Sequence, residues 1–168
     1  LGYDSKVSYG WSHADLEQSK VFANGEIVFG CCGDVLDANV IKYADIPALA
    51  PDYWDIDRWV TNELIPAITD ALHHRNAPSY ENGKIATGGT YLVVVRGRVY
   101  QISSDTSWTR HTSKRYAIGS GSEFALGAIA AGASIRQSLE IAASFDSGTG
   151  HRFTVAQDKE LLAEGSNA

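Results

Sequence analysis

Methionine is absent from this chain of 168 residues, which begins at Leu1. Translation starts with methionine, so residues upstream of Leu1 are expected. Cysteine is scarce: Cys31 and Cys32 are the two, and they are neighbours in an apolar run. Adjacent strand residues point to opposite faces, so no bond between them is expected, and a reducing compartment such as the cytoplasm fits. Without a Cys-x-x-Cys pair a thiolate zinc site is excluded. The five histidines are scattered, and His73 and His74 do not share a helix face, so no metal site is expected and no cofactor is implied. Positive charge is in deficit, with a net charge of −6 and no basic stripe to neutralise phosphates, which argues against a nucleic-acid partner. No apolar run approaches the ~20 residues of a membrane span or has the layout of a signal peptide, so no membrane partner is expected. No Gly-x-x-x-x-Gly-Lys-Ser/Thr stretch occurs. Gly119-Ser120-Gly121 opens like a dinucleotide fingerprint, but Phe124 stands where its third glycine belongs.

What the chain does contain is the composition of an ordinary globule, 44% apolar and 20% charged, long enough for a single domain over 1–168 with a fraying tail from Gly165. Its organising stretch runs from Tyr116 to Gly127. A β-prone triplet, Tyr116–Ile118, enters Gly-Ser-Gly-Ser and then an Ala-rich helix near Glu123–Ala131. Glycines permit the reversal and serines cap the new helix, leaving Ser120 at a positive helix terminus. On spacing alone this is a capped helix and nothing more.

The remaining elements follow in order. Leu1 to Ser8 reads as a strand end running into a loop through Trp11. Asn24-Gly25, between Lys20–Ala23 and Glu26–Gly30, signals a hairpin with a type I′ turn. Asp34 caps a helix expected to carry Val35, Leu36, Val40 and Tyr43 on one stripe. A second helix follows Asp55, with Ile56, Val60, Leu64, Ile68 and Leu72 four apart and a kink or break at Pro66. Residues 76–89 read as a polar loop, and Arg96-Gly97 joins Thr90–Val95 to Arg98–Ile102 in a second hairpin. Residues 103–114 are a polar connection. Ser134-x-x-Gln137 is a capping box opening a helix with Ile135, Leu139, Ala142 and Ala143 inward. Asp146–Gly150 turns the chain into a last strand, Arg152–Ala156. Helix pairs alternating with hairpins imply an α+β fold with mainly antiparallel strands. Two sheets face to face, each covered by a helix pair, use every apolar face: a four-layer αββα sandwich.

These residues resemble the N-terminal-nucleophile hydrolases of the proteasome β-subunit type. The resemblance rests on Asp4-Ser5-Lys6 after a strand, Lys20 at the next strand and Gly30-Cys31-Cys32-Gly33 before a helix. It continues through Leu92–Tyr100, the Ile118–Ser122 turn and Asp146–Gly150 before the last strand. It implies a threonine-type peptidase or amide hydrolase in which an N-terminal Thr, Ser or Cys attacks a carbonyl with its own α-amine as base. By resemblance Lys20 is the lysine beside that nucleophile and Asp4 the carboxylate that keeps it charged; the two are sixteen residues apart. Ser120, Asp146 and Thr149 form the group near the terminal amine. Gly33 offers the oxyanion N–H, and Cys31 lies along the substrate strand near the specificity pocket. The implied partners are a peptide or small amide substrate and further copies of the chain in a ring or scaffold.

Each position also has a plainer reading. Asp4 and Lys20 make an ordinary surface pair worth ~0–1 kcal/mol, Asp146 and Thr149 organise a turn, and Gly33 serves close packing. The resemblance places the nucleophile sixteen residues before Asp4, upstream of Leu1. The alternative function is a catalytically inactive structural subunit of a ring, compartment or virus-like particle. In that reading Trp11, Tyr53, Trp54 and Trp108 are exposed contact aromatics.

Overall fold

The computed structural model describes residues 1–9, 12–75, 79–81 and 84–156. A five-stranded antiparallel sheet carries most of the core, in the order β10 (Trp108–Thr109), β9 (Arg98–Ile102), β8 (Gly89–Val95), β5 (Ile27–Gly33), β4 (Val21–Asn24). Its side chains alternate strictly. Ile27, Phe29, Tyr91, Val93, Val95, Tyr100 and Ile102 form one buried cluster with the residues of α1 (Val35–Lys42), α2 (Ile56–Trp59) and α3 (Ile65–His74). Val21, Val28 and Val94 face the other way, onto Leu1, Tyr3, Val99 and Ala156. That second face is covered by an antiparallel ribbon of β1 (Gly2–Asp4) and β11 (Phe153–Val155). Helix α5 (Ile135–Phe145) packs on the ribbon, and α4 (Ser122–Ala130) packs on α5. The fold is therefore mixed α+β, with the ribbon in place of a broad second sheet. Among the described residues no helix is long and apolar enough to cross a membrane.

Local chemistry explains the elements. The stripe Ile56, Val60, Leu64, Ile68 and Leu72 is buried throughout. Pro66 neither breaks nor ends it, because a π-helical turn at Val60–Leu64 precedes the proline at the head of α3. Ser134 and Gln137 make the reciprocal capping box, although Ile135 is half-exposed and Ser138 takes the buried position beside Ala142 and Ala143. Arg96 and Gly97 both have positive φ, 46° and 72°, as a type I′ turn requires.

Several expectations are corrected. The first hairpin turns at Gly25-Glu26, with only Gly25 at positive φ (58°), because Asn24 closes β4 opposite Ile27. The Asn24 side-chain amide donates instead to Ile41 O (3.0 Å) and Ala44 O (2.9 Å), tying down the end of α1. Helix α1 buries Asp37 and Ile41, keeps Val35 and Val40 half-buried with Val40 against the core, and leaves Leu36 and Tyr43 exposed, so only part of the expected stripe faces inward. The stretch before Lys20 is β1 followed by a hairpin of β2 (Lys6–Tyr9) and β3 (Ser12–Asp15), and a short pair, β6 (Ser79–Glu81) with β7 (Lys84–Ala86), lies where a polar loop was expected. Tyr116–Ile118 joins no ladder; Tyr116 anchors it by donating its hydroxyl to Val99 O (3.1 Å) and accepting from His111 N–H (2.8 Å). Trp108 is half-buried, edge-on to Tyr100 at 5.3 Å and donating to Thr61 Oγ1 (3.0 Å), whereas Trp54 is 83% exposed and Tyr53 36%. Trp11 and the tail from Gly165 lie outside the described residues.

Asp37 is only 2% exposed and accepts from the Gly88 N–H (2.5 Å) and the Tyr91 hydroxyl (3.0 Å). Asp37→Ala is expected to destabilise the fold by about 1–3 kcal/mol for each donor left buried without a partner. Urea unfolding of the variant beside the parent measures it; an unchanged midpoint would show that water replaces the carboxylate at no cost.

Candidate active site

The site is assembled where β1 ends, β4 begins and the loop after α5 returns. Asp4, the last residue of β1, has both carboxylate oxygens engaged. Its Oδ1 takes the N–H of Lys6 (2.8 Å), the N–H of Gly150 (3.1 Å) and Lys20 Nζ (3.2 Å), and its Oδ2 takes Lys20 Nζ at 3.1 Å. Both side chains are largely covered, at 24% and 17% exposure for Lys20 and Asp4. A carboxylate fixed by two backbone donors holds its ammonium with less side-chain freedom than a surface pair does. Lys20 immediately precedes β4, and its carbonyl accepts from Cys31 N–H (2.9 Å), which locks it to β5.

The second half of the site is the turn from Asp146 to Gly150. Asp146 Oδ2 accepts from Ser120 Oγ (2.7 Å) and Thr149 Oγ1 (2.6 Å), and its Oδ1 accepts from Gly148 N–H (3.1 Å). Burial alone would raise its pKa, but hydrogen bonds from Thr149, Ser120 and the backbone N–H groups of Gly148 and Thr149 prevail and hold it below the usual carboxylate range. Small residues make the approach possible: a Cβ at Gly121 would overlap Thr149 Oγ1, and one at Gly148 would overlap Ser120 Oγ. Gly150 then joins the two halves through its hydrogen bond to Asp4.

Because Asp146 is depressed in the folded state, its contribution to stability is fully present above the ordinary carboxylate value of about 3.9 and is lost as pH falls through its folded value. The stability difference between parent and Asp146→Asn is expected to be constant from pH 8 to 5 and to shrink below about pH 4. Urea titrations across that range test this, and a difference that grows on acidification would contradict it.

Of the residues singled out in the sequence, Asp4, Lys20, Ser120, Asp146 and Thr149 are brought into this one linked group. Gly33 ends β5 opposite Gly89, with φ at 119°. Strand N–H groups alternate between edges, and that of Cys31 points to Lys20, so that of Gly33 is directed to the same edge, past the start of β4. Cys31 is not brought to the group. It lies on the helix side of β5 against the main core, where burial, then the neighbouring Cys32 and Asp37, push its thiol far above the ordinary range. The residue on the site's side is Cys32, unmarked by the sequence reading: a Cβ at Gly119 would lie 3.2 Å from its Sγ. Burial raises the Cys32 thiol, the Lys20 ammonium opposes that rise and Asp4 adds to it. Strand alternation showed that only one of the two thiols faces the site; choosing between them required the register with Lys20.

A sheet with helices on one face and a helix-backed ribbon on the other, with a lysine–carboxylate pair at its strand ends, has the fold of the proteasome-like N-terminal-nucleophile hydrolases. No family model matches the chain, and no curated protein matches it in sequence. Among solved structures it is similar to Thiobacillus denitrificans BPH, solved alone and in complex with epoxomicin. There the TM-score is 0.72 at 18% identity, covering 91% of this chain and 88% of that one. It is also similar to eukaryotic HslV from Trypanosoma brucei, with TM-score 0.62, 18% identity and coverage of 92% and 90%. Anbu from Hyphomicrobium sp. strain MC1 follows with TM-score 0.57, 10% identity and coverage of 99% and 88%. At these identities the likeness establishes the fold.

Proposed function

We propose that the chain is a subunit of a proteasome-like, threonine-type peptidase or amide hydrolase whose nucleophile lies upstream of Leu1. The observation that carries this reading is the engagement of Lys20 by a carboxylate that also holds Gly150, and through it the Ser120–Asp146–Thr149 group. Nothing in an ordinary surface pair calls for that link. Leu1 itself bears no hydroxyl or thiol, and its nitrogen donates to Ala156 O (2.7 Å) in the manner of a ladder N–H.

In this mechanism the N-terminal α-amine takes the proton of the nucleophile's hydroxyl, and the oxygen attacks the substrate carbonyl. The Lys20 ammonium, with Asp4 behind it, favours the deprotonated oxygen. The Gly33 N–H receives the developing oxyanion. The amine returns the proton to the leaving nitrogen, and water then hydrolyses the acyl-enzyme. Ser120 and Thr149, oriented by Asp146, position the terminal amine. The layers stack as αββα, and copies of the chain associate as rings in the cytoplasm.

A peptide α,β-epoxyketone reacts with an N-terminal hydroxyl and its own amine together, so it is the appropriate probe. The proposal expects one adduct per chain on the N-terminal residue of the intact protein, seen by mass spectrometry. A protein that assembles but takes no label and cleaves no peptide is the structural subunit instead.

A further inference from the structure

Beside the Asp146–Gly150 turn lies an open cleft of about 510 Å³ that Ser120 does not line. Four basic side chains line it, Lys6, His13, His151 and Arg152, together with the two acids Asp15 and Asp146. Both acids are already engaged. Asp15 accepts from Ser5 Oγ (2.9 Å), and Asp146 holds Ser120 and Thr149. Lys6 Nζ donates to Ser147 O, while among the described residues the side chains of His13, His151 and Arg152 have no hydrogen-bond or ion-pair partner. The charges of Lys6 and Arg152 are matched in the lining by those of Asp15 and Asp146, but the N–H donors of His13, His151 and Arg152 are taken up by no protein acceptor among the described residues, and an anion is the ligand that would satisfy them together.

The cleft adjoins the candidate catalytic group. Gly150 forms part of its wall and is one hydrogen bond (3.1 Å) from Asp4, which is one ion pair (3.1 Å) from Lys20. An extended peptide advances roughly 3.3 Å per residue, so a substrate held at Lys20 reaches the cleft within a few residues. We propose that this cleft binds a carboxylate of the peptide substrate, giving the enzyme a preference for amides with an acidic side chain or a free C-terminus close to the scissile bond. The inference rests on the hydrolase reading for its substrate, and on the cleft alone for its anion.

The test uses the full chain and two readouts. Four matched peptides, with Glu or Gln at the same position and the C-terminus free or amidated, are compared by kcat/KM for the parent and for an Arg152→Gln, His151→Gln double variant. Separately, the ring resonances of His13 and His151 are followed by NMR as succinate is added. The expected result is a roughly 10-fold preference for Glu over Gln, or for the free over the amidated end, according to which carboxylate is read. The double variant loses the preference and keeps its rate on the amidated Gln peptide, and succinate moves both histidines in the parent. Equal kcat/KM for all four peptides with parent and variant alike overturns the inference. If no peptide is cleaved, the hydrolase reading fails, and the succinate titration still decides the cleft: unmoved histidines in the parent reject an anion site, a His13 shift that is lost in the double variant supports it, and a His13 shift of the same size in parent and variant rejects it.

Discussion

Lys20→Ala, in a chain carrying its upstream residues, is expected to lower amide hydrolysis by roughly 10²- to 10⁴-fold, the usual contribution of a positioned proton-transfer or charge-stabilising group. The fold is expected to survive. Lys20 lies at the mouth of the five-stranded sheet rather than within either apolar cluster, and its backbone carbonyl keeps the bond from Cys31 whatever its side chain. Asp4 also retains the N–H groups of Lys6 and Gly150 as partners, so the substitution leaves no carboxylate without donors. Steady-state kinetics with circular dichroism separates the two effects. Turnover retained at the parental rate would remove Lys20 from the mechanism.

Gly33→Ala is expected to have the largest combined effect on stability and rate. At φ of 119° a side chain is strained whatever the space around it, by about 1–3 kcal/mol. Space is also missing: the new Cβ would overlap Gly88 O and lie 2.5 Å from Gly89 Cα, both backbone atoms that cannot swing aside. The end of β5 must therefore part from β8, and Asp34 N–H loses its acceptor, Gly88 O (3.0 Å). If Gly33 N–H receives the oxyanion, its displacement lowers kcat by a further ~10²–10³-fold. Thermal unfolding and kcat are measured together. A stable variant with normal kcat would contradict both the strain and the assigned role.

The parts of the fold legible in the sequence were those fixed by local chemistry. Arg96-Gly97, the Ser134–Gln137 box and the Asp34 cap each satisfy their own backbone within a few residues, and the five apolar residues of the α2–α3 stripe recur at the local helical spacing of four. What was misread depended on partners distant in sequence. Asn24 reads as a turn residue until the carbonyls of Ile41 and Ala44 give its amide a use in a strand. Helix α1 presents Asp37 inward because Gly88 and Tyr91, more than fifty residues away, supply its donors, and no hydrophobic pattern encodes that. Tyr116–Ile118 has strand-forming residues but is secured through one tyrosine hydroxyl rather than through a ladder.

The candidate site was legible for a different reason. Its members occupy five short motifs in a fixed order, and the order carried more information than any one of them. Cys32 and Gly150 lie within those motifs but were given no role by them, and they enter the site only through strand register and backbone hydrogen bonding.

The central claim is that the lysine held by Asp4 serves a nucleophile at the start of the mature chain. The most direct measurement is the N-terminal sequence and intact mass of the protein purified from its native source. The account predicts a free Thr, Ser or Cys sixteen residues before Asp4. A blocked terminus, or an apolar residue at that place, would contradict it.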